Sequence, residues 1–310
     1  MGPFPLLTPS RRMARAPHFS RALRELTNFQ YSRNTYFHLL GFGVSMKYCR
    51  FEFGTHAEYG LVESIAGSDH ITRLLLKPPE GAGDLEDLPT KPIPRTALSD
   101  AKLLAPVRPS KIVCVGRNYR EHAAELGNEV PQEPLIFFKP PSSLLASGET
   151  IRRPKLSQRT DYEGELAVII GQRCYKPSAD EDMRSYILGY TALNDFTARD
   201  LQKKDGQWTR AKGFDTFCPV GPLVSTELDP WTGVDVETRV NGEIRQHGNT
   251  RDFIFPLDVI IRYIADAMTL VPGDVLATGT PEGVGPVVAG DTVEVTIEGV
   301  GVLRNPITDE

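Results

Sequence analysis

Cysteine is scarce: Cys49, Cys114, Cys174 and Cys218 are the only four, and no two of them make a CxxC pair. That excludes a disulfide framework and a cysteine-built zinc site, and it fits a reducing, cytoplasmic setting. No run approaches 18 unbroken apolar residues, so no membrane span is expected. Internal repeats and long low-complexity tracts are missing as well. Basic residues are short over most of the chain. The formal net charge is −5, yet residues 1–45 hold six arginines against the single acid Glu25, which leaves the rest of the chain strongly acidic. An acidic body argues against nucleic acid or an anionic membrane as the main partner.

What remains is ordinary globular material of 310 residues, 40% hydrophobic and 24% charged, enough for one large domain and a smaller appendage. Residues 1–45 are Arg-rich and lack a clean hydrophobic period. They read as an extension outside the fold, either an organelle transit peptide, which would place the protein in an organelle matrix, or a stretch ahead of a true start at Met46. The second reading is preferred. From 46 to 107, short β-type runs such as 48–53 and 59–65 pass into Pro- and Gly-rich connectors near 77–83 and 92–95.

The most informative stretch is 161–170, Asp-Tyr-Glu-Gly-Glu-Leu-Ala-Val-Ile-Ile. Alternation along a strand puts Glu163 and Glu165 on one face at the mouth of an apolar, β-branched run. Two ionised carboxylates taken out of water repel each other and are costly to bury without a cation. A solvated strand end is the alternative. Upstream, 117–127 reads as a short helix that Asn118 starts and Gly127 ends, with His122 and Glu125 three apart and so on one face. A carboxylate beside an imidazole orients it and raises its basicity, as a general base requires. An exposed His/Glu pair would look the same in sequence.

Further along, Ser178 to Glu181 has the Ser-x-x-Glu form of a capping box and predicts a short helix to about Leu188. A helix from Asp195 would carry Asp195, Arg199 and Gln202 on one stripe, either functional or simply solvated. Lys212 lies in a loop among aromatic and small residues. Asn241-Gly242 predicts a hairpin, and Leu257, Ile260, Ile261, Ile264 and Met268 predict a core-facing helix. The segment 278–286, Thr-Gly-Thr-Pro-Glu-Gly-Val-Gly-Pro, offers backbone N–H donors to an anion but has neither a Walker A nor a GxGxxG pattern.

Taken in order, Gly-Arg-Asn-Tyr before His-x-x-Glu, Phe-Lys-Pro, Asp-Tyr-Glu-Gly-Glu-Leu, Asn-Asp-x-Thr-Ala-Arg-Asp-x-Gln, Lys-Gly-Phe-Asp and Thr-Gly-Thr-Pro-x-Gly-Val-Gly resemble the fumarylacetoacetate hydrolase family over about Met46 to Pro306. The likeness is to the branch acting on acylpyruvates and related 2-oxo dicarboxylic acids. It implies an α+β, β-rich fold: a mixed β-roll catalytic domain at 108–308 with a small β-rich N-terminal domain at 46–107, assembled as a homodimer. It also implies one Mg²⁺ or Mn²⁺ held by Glu163, Glu165 and Asp195. His122 and Glu125 would be the catalytic pair on a lid helix, with Lys212 and Gln202 polarising the substrate. Arg199, Thr280, Arg117 and Tyr119 would contact or border it. Val115 departs from the tyrosine-catabolic branch, which has an acidic ligand there.

The implied chemistry is C–C hydrolysis or isomerisation of a small 2-oxo or β-diketo acid, such as an acylpyruvate or an intermediate of aromatic-ring degradation. An enolate stabilised by the ion and a water activated by His and Glu would carry it. Oxaloacetate decarboxylation or keto–enol tautomerisation is the enzymatic alternative. A non-catalytic oxo-acid-binding domain is the third reading.

Overall fold

The computed structural model describes Gly2 and residues 46–80, 85–125 and 127–310. The expectations for 1–45, and the middle of the connector near 77–83, lie outside these residues. Ser45–Glu310 forms one compact unit, β-rich with four α-helices among the described residues. No described helix is long and apolar enough to cross a membrane.

A 12-stranded sheet dominates. Its main path begins with Thr90–Ala97, Ser68–Leu75, His56–Ile65 and Lys47–Phe53, then continues through Cys218–Ser225, Ile187–Asn194, Gly164–Ile170, Val275–Ala277, Ile112–Gly116 and Leu135–Lys139. The strands between Lys47 and Ala97 are therefore one wing of the same sheet, joined to it where Lys47 pairs with Ser225. A five-stranded sheet runs Glu243–Asn249, Asp235–Val240, Thr292–Ile297, Gly301–Asp309 and Ile151–Arg153, and a small sheet joins Thr197–Ala198, Thr160–Tyr162 and Gly285–Pro286.

The acidic stretch 161–170 forms two strands, Thr160–Tyr162 and Gly164–Ile170, with Glu163 at the break. The second strand is buried at every position and lies between Ile187–Asn194 and Val275–Ala277. Burial on both faces explains its continuous apolar run. Leu166, Val168 and Ile170 enter one core with Leu257, Ile260, Ile261 and Ile264 of the helix Leu257–Ala267, whereas Ala167 and Ile169 enter another with Ile112, Cys114 and Val220. The helix stripe read from sequence is thus the cover of one face, with Met268 packed at its edge. Asn241 and Gly242 both have positive φ, as a tight hairpin turn between Val240 and Glu243 requires.

Three local expectations are corrected. Asp195 does not start a helix: its N–H donates to Glu163 O at 2.8 Å, so the backbone stays tied to the acidic strand and the helix begins at Arg199. Asn118 is no cap. Its amide donates to Phe255 O (3.2 Å) and Thr278 O (2.8 Å) and accepts from Phe255 N–H (2.8 Å), and the helix runs Arg120–Glu125. Glu181 does accept from Ser178 N–H at 3.0 Å, but only a 3₁₀ turn, Met183–Tyr186, follows before the next strand.

Gly164 separates the two glutamates, and the five-stranded sheet closes on it: an added Cβ would overlap Thr238 Oγ1 and press on Val295. Gly164→Ala is expected to lower stability by about 1–3 kcal/mol, the usual cost of overpacking a closed core. Chemical denaturation would show it, and an unchanged midpoint would mean that this face of the strand yields.

Candidate active site

Glu163, Glu165 and Asp195 converge. Each is buried, and ligand oxygens drawn from the three lie within 4.8 Å of one another. The backbone explains how. Glu163 N–H donates to Asn194 Oδ1 at 3.0 Å, and Gly164 N–H donates to Gln246 Oε1 at 3.0 Å. The glycine-rich loop is stitched to the same strand: Thr278 Oγ1 donates to Leu166 O and Thr280 Oγ1 to Gly164 O, both at 2.8 Å. Gly279 N–H reaches Glu165 Oε2 at 2.8 Å.

Around these carboxylates runs a chain of alternating charges. Arg159 grips Asp161 at 2.8 and 3.0 Å; Asp161 accepts from Arg199 Nε at 2.9 Å; Arg199 donates to Glu163 Oε1 at 2.6 Å. Lys212 Nζ bridges Glu163 Oε2 (2.8 Å) and Asp195 Oδ2 (2.6 Å), and Lys139 Nζ takes the other oxygen of Asp195 at 2.6 Å. Burial alone would raise the Glu163 carboxyl, but Lys212, Arg199 and His122 outweigh it and hold the group below the usual carboxylate range. Burial weakens the positive charge of Lys212 and Arg199, and their acidic partners more than restore it.

Glu165 stands apart. Among the described residues no cationic side chain forms an ion pair with it. Burial, then Asp195 and Glu163, push its carboxyl well above the ordinary value, against the Gly279 N–H and the more distant Lys212. Three hard carboxylates, one of them without a cation, suit a divalent ion such as Mg²⁺ or Mn²⁺.

These groups open on a cavity of about 490 Å³, also lined by Val115, Arg117, His122, Glu125, Phe137, Arg159, Arg199, Gln202, Lys203, Trp208, Lys212, Thr280 and Val284. His122 is buried, its Nδ1 3.4 Å from Glu125 Oε2. Burial lowers its pKa, only partly offset by Glu163 and Glu125. Glu125 in turn accepts from Gly283 N–H at 3.1 and 3.2 Å, fastening the short helix to the glycine-rich loop. Gln202 Oε1 accepts from Arg199 at 2.7 Å, which leaves its NH₂ as the free end of the amide. Lys212 ends a short helix, Thr209–Lys212, rather than lying in a loop. The Thr280 hydroxyl is committed to Gly164 O and accepts from Gln246 Nε2 at 2.8 Å. Tyr119 is not among the lining residues; its buried ring meets Phe253 edge-on with centroids 5.2 Å apart.

The sequence leaves Asp161 open between support for the ligands and a solvated acid, gives Lys139 only as the end of an apolar strand, and does not single out Gln246. Asp161 carried a usable signal, since it shares strand parity with Glu163 and Glu165. Lys139 ends an apolar strand where a lysine ordinarily reaches solvent.

The family model described as fumarylacetoacetate (FAA) hydrolase C-terminal matches residues 111–308. The chain is 42% identical over 225 residues to oxaloacetate tautomerase YisK of Bacillus subtilis, covering 68% of this chain and 74% of the relative. It is 43% identical over 222 residues to the mitochondrial oxaloacetate tautomerase fahd2 of Xenopus laevis, covering 67% and 69%. Among solved structures it is similar to the 5-carboxymethyl-2-hydroxymuconate delta-isomerase from Mycobacterium smegmatis, with TM-score 0.76, 38% identity and coverage of 86% and 100%.

Glu165→Gln tests the electrostatics of the triad. Without divalent ions the variant should melt higher than the parent, because a buried, repelled carboxylate is removed. The parent should gain about 2.7 kcal/mol at a Mg²⁺ concentration a hundredfold above Kd, and the variant should gain almost nothing. A variant that melts lower without metal, or is still stabilised by it, would contradict the assignment.

Proposed function

This chain belongs to the fumarylacetoacetate hydrolase family of enzymes, and on that premise we propose that it interconverts the keto and enol forms of a small 2-oxo acid of the oxaloacetate type. The observation that carries this reading is the meeting, in one cavity, of the buried carboxylate triad, the His122–Glu125 pair and the donors of Lys212 and Gln202. Relatives bearing the name oxaloacetate tautomerase and a structural neighbour named as an isomerase support it.

Glu163, Glu165 and Asp195 would hold Mg²⁺ or Mn²⁺, which supplies a Lewis acid for the carboxylate and keto oxygens of such a substrate. The other residues divide the work of proton transfer. His122, kept neutral by burial and oriented by Glu125, accepts the proton from the carbon beside the keto group, and a proton returns from it, directly or through water, to the keto oxygen. Lys212 and the free NH₂ of Gln202 donate toward the oxygen on which charge develops. Arg199 contacts both Glu163 and Gln202 and so sets one against the other. Asp161 fixes Arg199 from behind.

A second reading, C–C hydrolysis of an acylpyruvate, is favoured by the size of the cavity. At about 490 Å³ it has room beyond a four-carbon acid for an attacking water, whose share of liquid volume is roughly 30 Å³. Val115, buried and apolar, lines it where an acidic ligand would otherwise take space. The same His122 would then deprotonate the water.

With Mg²⁺ bound, the protein should speed loss of the enol absorbance of oxaloacetate, and chelation should abolish this. His122→Ala should lower kcat by about 10²–10⁴ with Mg²⁺ affinity retained. Because the base works unprotonated and burial lowers its pKa, kcat/KM should fall with acid only below the usual histidine value of about 6.5. Release of acetate and pyruvate from acetylpyruvate, without tautomerisation of oxaloacetate, would move the assignment to the second reading. No turnover of either by the metal-loaded protein would contradict both.

A further inference from the structure

Arg159, Arg199 and Lys212 all line the cavity and are all spent on acidic partners. Arg117 is different. It lines the same cavity, partly buried, and among the described residues no hydrogen bond, ion pair or ring contact engages its side chain. It therefore keeps beyond ion-pair distance of Glu163, Glu165 and Asp195 while facing the space they open on.

Its backbone is also unusual. Arg117 has φ of +61°, in the left-handed region where an L side chain costs roughly 1–2 kcal/mol. Such strain persists only where the surroundings over-determine it, and here both neighbours are held. On one side, a Cβ on Gly116 would come within 3.0 Å of Trp208, so the strand end lies tight against that ring. On the other, Asn118 is fully buried and tied by three hydrogen bonds to Phe255 and Thr278. The left-handed residue turns the chain out of the strand Ile112–Gly116 at the cavity wall, and a guanidinium is delivered there without a protein partner.

The balance of charge points the same way. In the alternating chain four cations face three acids, which offsets Glu165 in number; the charges that remain on the cavity lining are Glu125 beside His122, Arg117 and the exposed Lys203. A divalent ion on the triad would leave the cavity with excess positive charge that a monoanion does not cancel. Resting on the reading of this cavity as a 2-oxo acid site, we propose that Arg117 receives a second, distal carboxylate of the substrate. It thereby selects 2-oxo dicarboxylates over 2-oxo acids with a neutral tail. A guanidinium suits this because its paired N–H groups match a carboxylate in a bidentate contact.

The test compares oxaloacetate with its 4-methyl ester, which keeps the 2-oxo carboxylate end and lacks the distal charge. Dissociation constants are measured on the full chain loaded with Mg²⁺. The parent should prefer oxaloacetate. Arg117→Gln should weaken oxaloacetate by about 10–100-fold, the worth of a charged hydrogen-bonded pair, and the ester by no more than about threefold. Arg117→Lys should retain part of the preference. Equal weakening of both compounds would make Arg117 a structural residue, and unchanged affinities would remove it from the site; either result overturns the proposal. If the parent binds Mg²⁺ but neither compound, the 2-oxo acid reading itself fails and Arg117's role falls with it.

Discussion

Burying four carboxylates together is the constraint on which the rest of this structure depends. Asp161, Glu163, Glu165 and Asp195 are each almost entirely out of water, and charges so placed must be compensated. The fold answers with a line of cations drawn from four parts of the chain: Arg159, Arg199, Lys212 and Lys139. Each joins at least one acid, and Arg199 and Lys212 join two. Glu165 is outside the line, and among the described residues its hydrogen bond comes from the Gly279 backbone N–H. Acids and cations balance in number, yet Glu165 forms no ion pair among the described residues, and that arrangement suits a divalent ion.

The sheet exists, in functional terms, to hold this arrangement rigid. The strand carrying Glu165 is buried on both faces, closed on one by the helix Leu257–Ala267 and near Gly164 by the five-stranded sheet. The three carboxylates therefore have little freedom to spread apart. The His122–Glu125 pair is mounted differently. His122 and Glu125 sit on a helix of six residues, which Glu125 ties to the glycine-rich loop at Gly283. The carboxylates proposed to hold the ion and the proposed base thus stand on different kinds of element, a strand buried on both faces and a short helix.

Much of this was legible in the residues because the signals are local. Strand parity alone brings Glu163 and Glu165 together, helical spacing alone pairs His122 with Glu125, and Asn241-Gly242 specifies its own turn. Where partners are distant, local reading failed. Lys139 meets Asp195 across 56 positions and Gln246 meets Gly164 across 82, and nothing near either residue announces its partner. Arg199 and Gln202 continue the right spacing for a helix from Asp195. The competing bond from its N–H to Glu163 O belongs to tertiary structure. Asn118 looked like a cap for the same reason, and its true partners lie 137 and 160 positions away.

On the proposed reading Glu163, Glu165 and Asp195 together hold one divalent cation. Crystals grown with Mn²⁺ and measured at a wavelength where manganese scatters anomalously test it most directly. A single strong anomalous peak per chain is expected, within about 2.0–2.3 Å of one oxygen from each of the three carboxylates. A peak elsewhere, or none, with Lys212 still bridging Glu163 and Asp195, would contradict it.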